Sequence, residues 1–230
     1  MREIVLDTET TGFEPSEGHR IVEIGCVELK HHVPTGNHYQ VYINPERDMP
    51  ADAEKVHGLS SEFLSDKPVF ADVADDFRSF VADDPVVIHN ASFDLKFLNY
   101  ELRQLDRRPI QPEQSVDTLL IARRKYPGAP ASLDALCKRF QIDATERTVH
   151  GALLDAELLA QVYLELIGGA QPGLSFSETK DVRAGGPGPS QVARNPRPRP
   201  LPPLLTREEE AAHKAFLDDL PGDAFWTAKS

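Results

Sequence analysis

The stretch "IVLDTETTG" occupies residues 4–12. It begins as an apolar strand and then places two carboxylates, Asp7 and Glu9, two residues apart. Side chains at i and i+2 of a strand point to the same side, so both acids can face one point. Adjacent anions raise each other's pKa unless a cation lies between them, and oxygen ligands suit Mg²⁺ or Mn²⁺. The pair alone leaves open a second interpretation, a strand end whose acids face water.

The pattern around this stretch predicts an α/β fold. Strands are predicted at residues 3–9, 19–30, 37–45 and 85–90. Helices are predicted at residues 68–83, 92–105, 132–140 and 151–168. Short connections favour an antiparallel meander of the first three strands, with "PTGN" at 34–37 as a turn. Ser92 is the expected N-cap of the second helix, and Gly168 and Gly169 are expected to end the last one.

Composition narrows the class of protein. The 230 residues carry a net charge of −12, and the acidic surplus lies in residues 1–168. That charge argues against broad coating of nucleic acid, but it allows an enzyme that holds a few nucleotides through metal ions. The sequence shows neither a membrane-length apolar run nor a signal-peptide pattern, which predicts a cytoplasmic protein. Cys26 and Cys137 lie among apolar residues and are expected to be buried thiols in a reducing compartment.

Three further residues could join the two acids of the first strand. Asp94 follows a buried strand in the first turn of a helix, where an acid also suits the helix dipole. His150 and Asp155 are five residues apart, a rotation of about 140° on a helix, so they would not share a face if both were helical. We therefore expect His150 in the preceding loop and Asp155 on the helix. Taken alone, a histidine in this context is more often a surface or capping residue.

Together these residues resemble the DEDDh 3′–5′ exonucleases. The segments "DTETTG", "HNASFD" and "HGALLDA" match the three motifs of that family and contain Asp7, Glu9, Asp94, His150 and Asp155. Further segments, "VHG", "SLDALC" and "RTVHGALLDAELLAQVYL", resemble the family members that proofread for bacterial replicative polymerases. The resemblance is dense over residues 1–168. It implies a ribonuclease H-like fold, with a mixed five-stranded sheet and helices on both faces.

The resemblance also implies a two-metal mechanism. Asp7, Glu9 and Asp155 would hold two divalent ions, Mg²⁺ or Mn²⁺, with Asp94 coordinating directly or through water. His150 would be the general base that takes a proton from the attacking water. The expected reaction removes mispaired nucleotides from a DNA 3′ end and releases nucleoside 5′-monophosphates. Two alternatives are an exonuclease of the same superfamily that trims RNA and an inactive adaptor.

The resemblance extends to substrate contacts. Besides the metal-binding Asp7, Glu9 and Asp155, it implies that Val56 and His57 pack against the last base and sugar. Either Asp52 or Glu54 would accept a hydrogen bond from the 3′-hydroxyl, and His57 could instead be a structural turn residue. Asn90 and Phe93 flank the site, although strand capping and core packing explain them equally well.

Composition changes after the last predicted helix. We expect an exonuclease domain at 1–169, a flexible Pro- and Gly-rich linker at 170–203, and a polymerase-binding segment at 204–230. In that last segment, Thr206 and Glu209 fit a capping box that starts a short helix. Its apolar residues, including Phe216 and Trp226, are expected to bind the alpha subunit of the polymerase.

The linker begins with "QPGLSF", residues 171–176, which resembles the clamp-binding motif of bacterial replication proteins. Gln171, Leu174 and Phe176 would then contact the beta sliding clamp at the replication fork of the nucleoid. The alternative is a C-terminal extension that folds back on the domain. The sequence leaves open whether a small stabilising subunit binds the exonuclease domain.

Overall fold

The computed structural model describes residues 1–145, 149–168 and 206–218. The linker, its motif at 171–176 and Trp226 therefore lie outside the described residues. Residues 206–218 belong to a unit of their own and are treated separately below. Among the described residues, no helix is both long and apolar enough to cross a membrane.

A five-stranded mixed sheet forms the centre of the domain. Its strands are β1 (Arg2–Thr10), β2 (Ile21–Lys30), β3 (Val33–Tyr42), β4 (Val86–Ile88) and β5 (Ser115–Asp117). The spatial order is β3-β2-β1-β4-β5, with β1, β2 and β3 antiparallel and with β4 and β5 parallel to β1. The predicted meander and the mixed five-stranded sheet are confirmed. Strand β1 is central, so both of its edges are hydrogen-bonded to neighbouring strands.

Helices pack on both faces of this sheet. They are α1 (Ala51–His57), α2 (Ser61–Leu64), α3 (Phe70–Val81), α4 (Ala91–Gln104), α5 (Thr118–Lys125), α6 (Leu133–Phe140) and α7 (Ala152–Ile167). Alternate residues of β1 enter two separate cores: Ile4 and Leu6 join residues of α3 and α4, whereas Val5 joins residues of α6 and α7. This period-2 alternation leaves the polar end of β1 between α4 and α7. Cys26 and Cys137 are both buried, as expected.

The predicted turn at 34–37 is wrong, because these residues belong to β3. The chain reverses before these residues, at His31 and His32, which have φ of 54° and 66°. Lys30 pairs directly with Val33, so only two residues connect the strands. A two-residue hairpin needs positive φ at both central positions to match the twist of the strands. Gly36, at φ 85°, then lies at a shift in the strand register, where three residues of β3, 35–37, lie opposite one residue of β2.

The prediction that Ser92 caps α4 is also wrong. Helix α4 begins at Ala91, and its N-cap is Asn90 in the left-handed region with φ 68°. The backbone N–H groups of Asn90 and Ala91 each donate to the Asp117 carboxylate at 3.2 Å. The same carboxylate accepts the N–H of Leu119 at 2.8 Å and caps α5. One acid at the end of β5 thus serves the first turns of two helices.

Helix α8 (Arg207–Asp218) lies in the second unit and is described by itself. The predicted capping box is confirmed: the Thr206 N–H donates to Glu209 Oε2 at 2.8 Å, and the Glu209 N–H donates to Thr206 Oγ1 at 3.2 Å. None of its residues is buried, and Phe216 is 63% exposed.

Candidate active site

The five motif residues come together at the end of β1. Asp7 and Glu9 lie on that strand, Asp94 in the first turn of α4, Asp155 in the first turn of α7, and His150 in the loop before α7. All five line one cavity of about 190 Å³. The chain positions them through three separate elements, because β1 ends where the N-termini of α4 and α7 converge. Anionic side chains at helix N-termini are favoured by the helix dipole.

Three of these residues form the tightest group. One ligand atom each from Glu9, His150 and Asp155 lies within 4.8 Å of the others. His150 Nδ1 is 3.2 Å from Asp155 Oδ2, so the carboxylate orients the imidazole ring. Glu9 and Asp155 are buried, whereas the His150 side chain is 45% exposed. The arrangement offers oxygen ligands in the interior and an imidazole that bulk water can reach.

Asp94 lines the same cavity. It is 3% exposed, and its Oδ1 accepts hydrogen bonds from the Thr8 N–H at 3.1 Å and the Thr8 hydroxyl at 2.7 Å. Burial raises the pKa of Asp94 to about 7, although both hydrogen bonds from Thr8 oppose the shift. A carboxylate buried in this way is costly to ionise without a neighbouring cation. Its environment therefore suits a position beside a metal ion.

Helix α7 is pressed closely against β2 at this site. Gly25 pairs with Asp7 across the strands, and a Cβ added to Gly25 would lie 2.5 Å from the carbonyl oxygen of Ala152 and nearer still to other backbone atoms of α7. Only glycine allows the two backbones to approach this far. The loop before α7 is also fixed, since the His150 N–H donates to the Val56 carbonyl at 3.0 Å.

A larger cavity of about 470 Å³ adjoins the first and shares Thr8, Glu9 and Phe93 with it. Val56, half-exposed, and His57, buried, both line it. His57 Nδ1 accepts the Leu59 N–H at 3.1 Å, and burial lowers the pKa of His57, which favours a neutral ring.

Asp52 and Glu54 differ in their placement on α1. Asp52 is fully exposed at the rim and lines the larger cavity, whereas Glu54 is not among the residues that line it. Of these two acids, Asp52 is thus the one that lines the larger cavity.

Thr8, His89 and Phe13 are among the cavity-lining residues that sequence reasoning missed. Thr8 holds Asp94, although it lies between the two acids that first drew notice. His89 lines the smaller cavity, with Nδ1 2.9 Å from Thr118 Oγ1, and its position at the end of a buried strand was an available signal. Phe13 is 79% exposed beside the larger cavity, where Lys96 Nζ donates to its carbonyl oxygen at 2.8 Å. No sequence signal marks that contact.

Comparisons with known proteins agree with this geometry. The family model described as "Exonuclease" matches residues 4–163. A curated relative from Rickettsia felis, named DNA polymerase III subunit epsilon, is 49% identical over 223 residues, covering 96% of this chain and 97% of the relative. The protein of the same name from Escherichia coli K12 is 43% identical over 241 residues, covering 99% and 98%.

Solved structures give the same assignment of the fold. Exonuclease X in complex with 5′-overhanging duplex DNA superposes with a TM-score of 0.57 at 26% identity, covering 72% of this chain and 91% of that chain. The nuclease domain of 3′hExo, a DEDDh family member bound to rAMP, gives a TM-score of 0.62 at 17% identity over the same shares, which shows the fold alone. The chain therefore belongs to the Exonuclease family and, within it, to the epsilon subunits of DNA polymerase III.

Proposed function

We propose that this chain is the 3′–5′ exonuclease that proofreads for a replicative DNA polymerase. It removes mispaired nucleotides from a DNA 3′ end and releases nucleoside 5′-monophosphates. The observation that carries the proposal is the convergence of four acids and one histidine on a single cavity, beside a larger cavity with apolar walls. An inactive adaptor would have no need to keep all five side chains together.

DNA is favoured over RNA as the substrate. The relatives named as epsilon subunits match this chain over 97–98% of their own length, so the likeness includes the segment after the exonuclease domain. An exonuclease that trims RNA on its own has no evident need for such a segment. The experiment described below compares RNA directly with DNA as the substrate.

The residues present fit a pair of divalent cations. Asp7, Glu9 and Asp155 would hold them, with Asp94 as a direct ligand or through water; carboxylate oxygens are the ligands that Mg²⁺ and Mn²⁺ prefer. The buried, mutually close carboxylates of Glu9 and Asp155 fit this assignment because a cation beside two neighbouring anions stabilises their charged forms. Bound there, such ions supply Lewis-acid neutralisation of phosphate charge and a bound water that ionises readily.

His150 is proposed to be the general base. Its ring is oriented by Asp155 and partly open to solvent, so it can take a proton from the attacking water. As the water oxygen bonds to phosphorus, the P–O3′ bond breaks, and the departing oxygen takes up a proton from solvent to become the new 3′-hydroxyl. Thr8 holds Asp94 in place through both hydrogen bonds during this step.

The larger cavity is proposed to hold the terminal nucleotide. Val56 and His57 offer an apolar edge and a neutral imidazole to the base and sugar. Asp52 at the rim accepts a hydrogen bond from the 3′-hydroxyl. Exposed Phe13 and half-buried Phe93 also line this cavity, and their aromatic faces suit stacking on an unpaired base. Such contacts favour a frayed, mispaired end over a paired one.

Two partners are proposed for the C-terminal part of the chain. Residues 204–230 bind the alpha subunit of DNA polymerase III, since an isolated helix as short as α8 is marginal in water and leaves Phe216 exposed. Residues 171–176 bind the beta sliding clamp weakly. This binding is strengthened because the polymerase holds both partners at a high effective concentration. The protein then acts in the cytoplasm, at replication forks of the nucleoid. A small stabilising subunit that binds the exonuclease domain stays a prediction.

The experiment that tests the function is digestion of a 3′-mispaired primer in Mg²⁺, followed by separation of the products. We expect nucleoside 5′-monophosphates, faster removal of a mispaired than of a paired end, and faster removal with the polymerase subunit present. An RNA strand of the same sequence is the matched substrate. Preferential trimming of RNA, or no metal-dependent hydrolysis at all, would contradict the proposal.

A further inference from the structure

Glu23 is a buried acid next to the candidate metal ligands that the proposed mechanism does not use. It lies on β2, directly opposite Glu9 in the strand register, and is 2% exposed. Side chains of directly opposed residues on antiparallel strands are neighbours on one face, and like charges there are normally unfavourable. A second acid at this position therefore needs a structural reason.

Both oxygens of Glu23 are engaged by hydrogen-bond donors. Oε2 accepts the backbone N–H of Ala152 at 3.1 Å, and Oε1 accepts Nε2 of Gln40 at 2.8 Å. Ala152 is the first residue of α7, and the N-cap residue Gly151 has no side chain to cap the helix. Glu23 thus supplies the cap from another element, and its negative charge also suits the helix N-terminus.

We propose that Glu23 is a positioning residue for the metal site, acting through α7. The helix that it fastens carries Asp155 three residues after Ala152, and His150 comes two residues before Ala152. Glu23 thereby fixes the two side chains from α7 and its loop relative to Glu9 on β1. The inference rests on the proposed metal site. It goes further because it assigns the relative placement of the metal ligands to an acid that itself binds no metal.

A second buried acid provides a matched control. Glu3, on β1, is 1% exposed and accepts the hydroxyl hydrogen bond of Tyr163 on α7 at 2.8 Å. It therefore also fastens α7 to the sheet, but eight residues farther along the helix than Asp155. Substitutions of Glu3 and Glu23 remove comparable buried hydrogen bonds, at opposite ends of the same helix.

The test compares Glu23→Leu, Glu23→Gln, Glu3→Leu and wild type by urea unfolding, Mn²⁺ titration calorimetry and single-strand hydrolysis. We expect both leucine variants to lose stability, because each orphans a buried donor. Only Glu23→Leu should weaken Mn²⁺ binding, by about 10–100-fold, and lower kcat with little change in KM for DNA. Glu23→Gln should stay within about threefold of wild type in both Mn²⁺ affinity and kcat. The carbonyl oxygen of the new amide can accept the Ala152 N–H, and the Gln40 side-chain amide can flip so that its oxygen accepts from the new NH₂ group.

Wild-type Mn²⁺ affinity in folded Glu23→Leu would overturn the inference, as would an equal loss in Glu3→Leu. If Glu23→Leu does not fold, Gln40→Leu decides, because it removes the second donor to Glu23. Weaker Mn²⁺ binding by Gln40→Leu would then support the inference, and unchanged binding would overturn it. Failure of the proposed metal site itself gives a different result: wild type would bind no Mn²⁺, or Asp7→Ala would bind it normally.

Discussion

The close approach of β2 and α7 allows the effect of one methyl group to be worked out. In Gly25→Ala the new Cβ would lie 2.5 Å from the Ala152 carbonyl oxygen, whereas ordinary contacts begin at 3.4 Å. The obstructing atoms are backbone, so no side chain can rotate away, and the two backbones must separate by about 1 Å. Overpacking of this kind costs about 1–3 kcal/mol of stability. A misplacement of about 1 Å in catalytic groups can cost about 10²-fold in rate.

The assay measures kcat on a single-stranded substrate at saturating Mg²⁺, together with the free energy of unfolding in urea. Gly151→Ala is the control, since it adds the same methyl group at the start of α7, where a Cβ meets nothing within 4 Å. We expect Gly25→Ala to lose about 10²-fold in kcat while folded, and Gly151→Ala to lose little. If folded Gly25→Ala keeps kcat within twofold of wild type, the contact does not set the position of α7 and the reasoning fails.

Four further predictions concern the proposed chemistry and partners. Asp7→Ala should abolish hydrolysis with the fold retained, and near-wild-type activity in a purified sample would refute its role as a metal ligand. His150→Ala should lower kcat by about 10²–10⁴-fold while calorimetry shows Mn²⁺ binding preserved; loss of binding would instead make the histidine a ligand. Deletion of residues 204–230 should leave single-strand hydrolysis intact and abolish co-purification with the alpha subunit. Replacement of both Gln171 and Leu174 by alanine should weaken clamp binding in a direct titration without changing nuclease activity, and equal affinities would remove that motif from the account.

The sequence predicts the elements that repeat over many residues. The meander, the long helices and the two acids of β1 follow from strand and helix periods, and the resemblance adds Asp94, His150 and Asp155. By contrast, β5 and α5 were not predicted, because "SVD" is too short and too polar to show a period. The hairpin was misplaced because "PTGN" has turn composition, whereas the reversal uses two histidines with positive φ.

The hydrogen bonds that hold α4 and α7 at the site could not be predicted from local sequence. Ser92 suits an N-cap by residue type, yet the first amides of α4 donate to Asp117, 26 residues farther along the chain. Glu23 looks like an ordinary polar residue of a strand, and only the tertiary structure brings the start of α7 to it. Long-range contacts of this kind depend on register and helix placement, which no short window contains.

The shared carboxylate of Asp117 has a consequence for motion in the native state. Amides of Asn90 and Leu119 donate to the same side chain, so the first turns of α4 and α5 cannot fray independently. Hydrogen exchange at these amides should report one joint opening, with one free energy, where separately capped helices would show two. Because α4 begins three residues before Asp94, that opening also releases one wall of the cavity. The same event therefore sets how often this wall of the site comes apart.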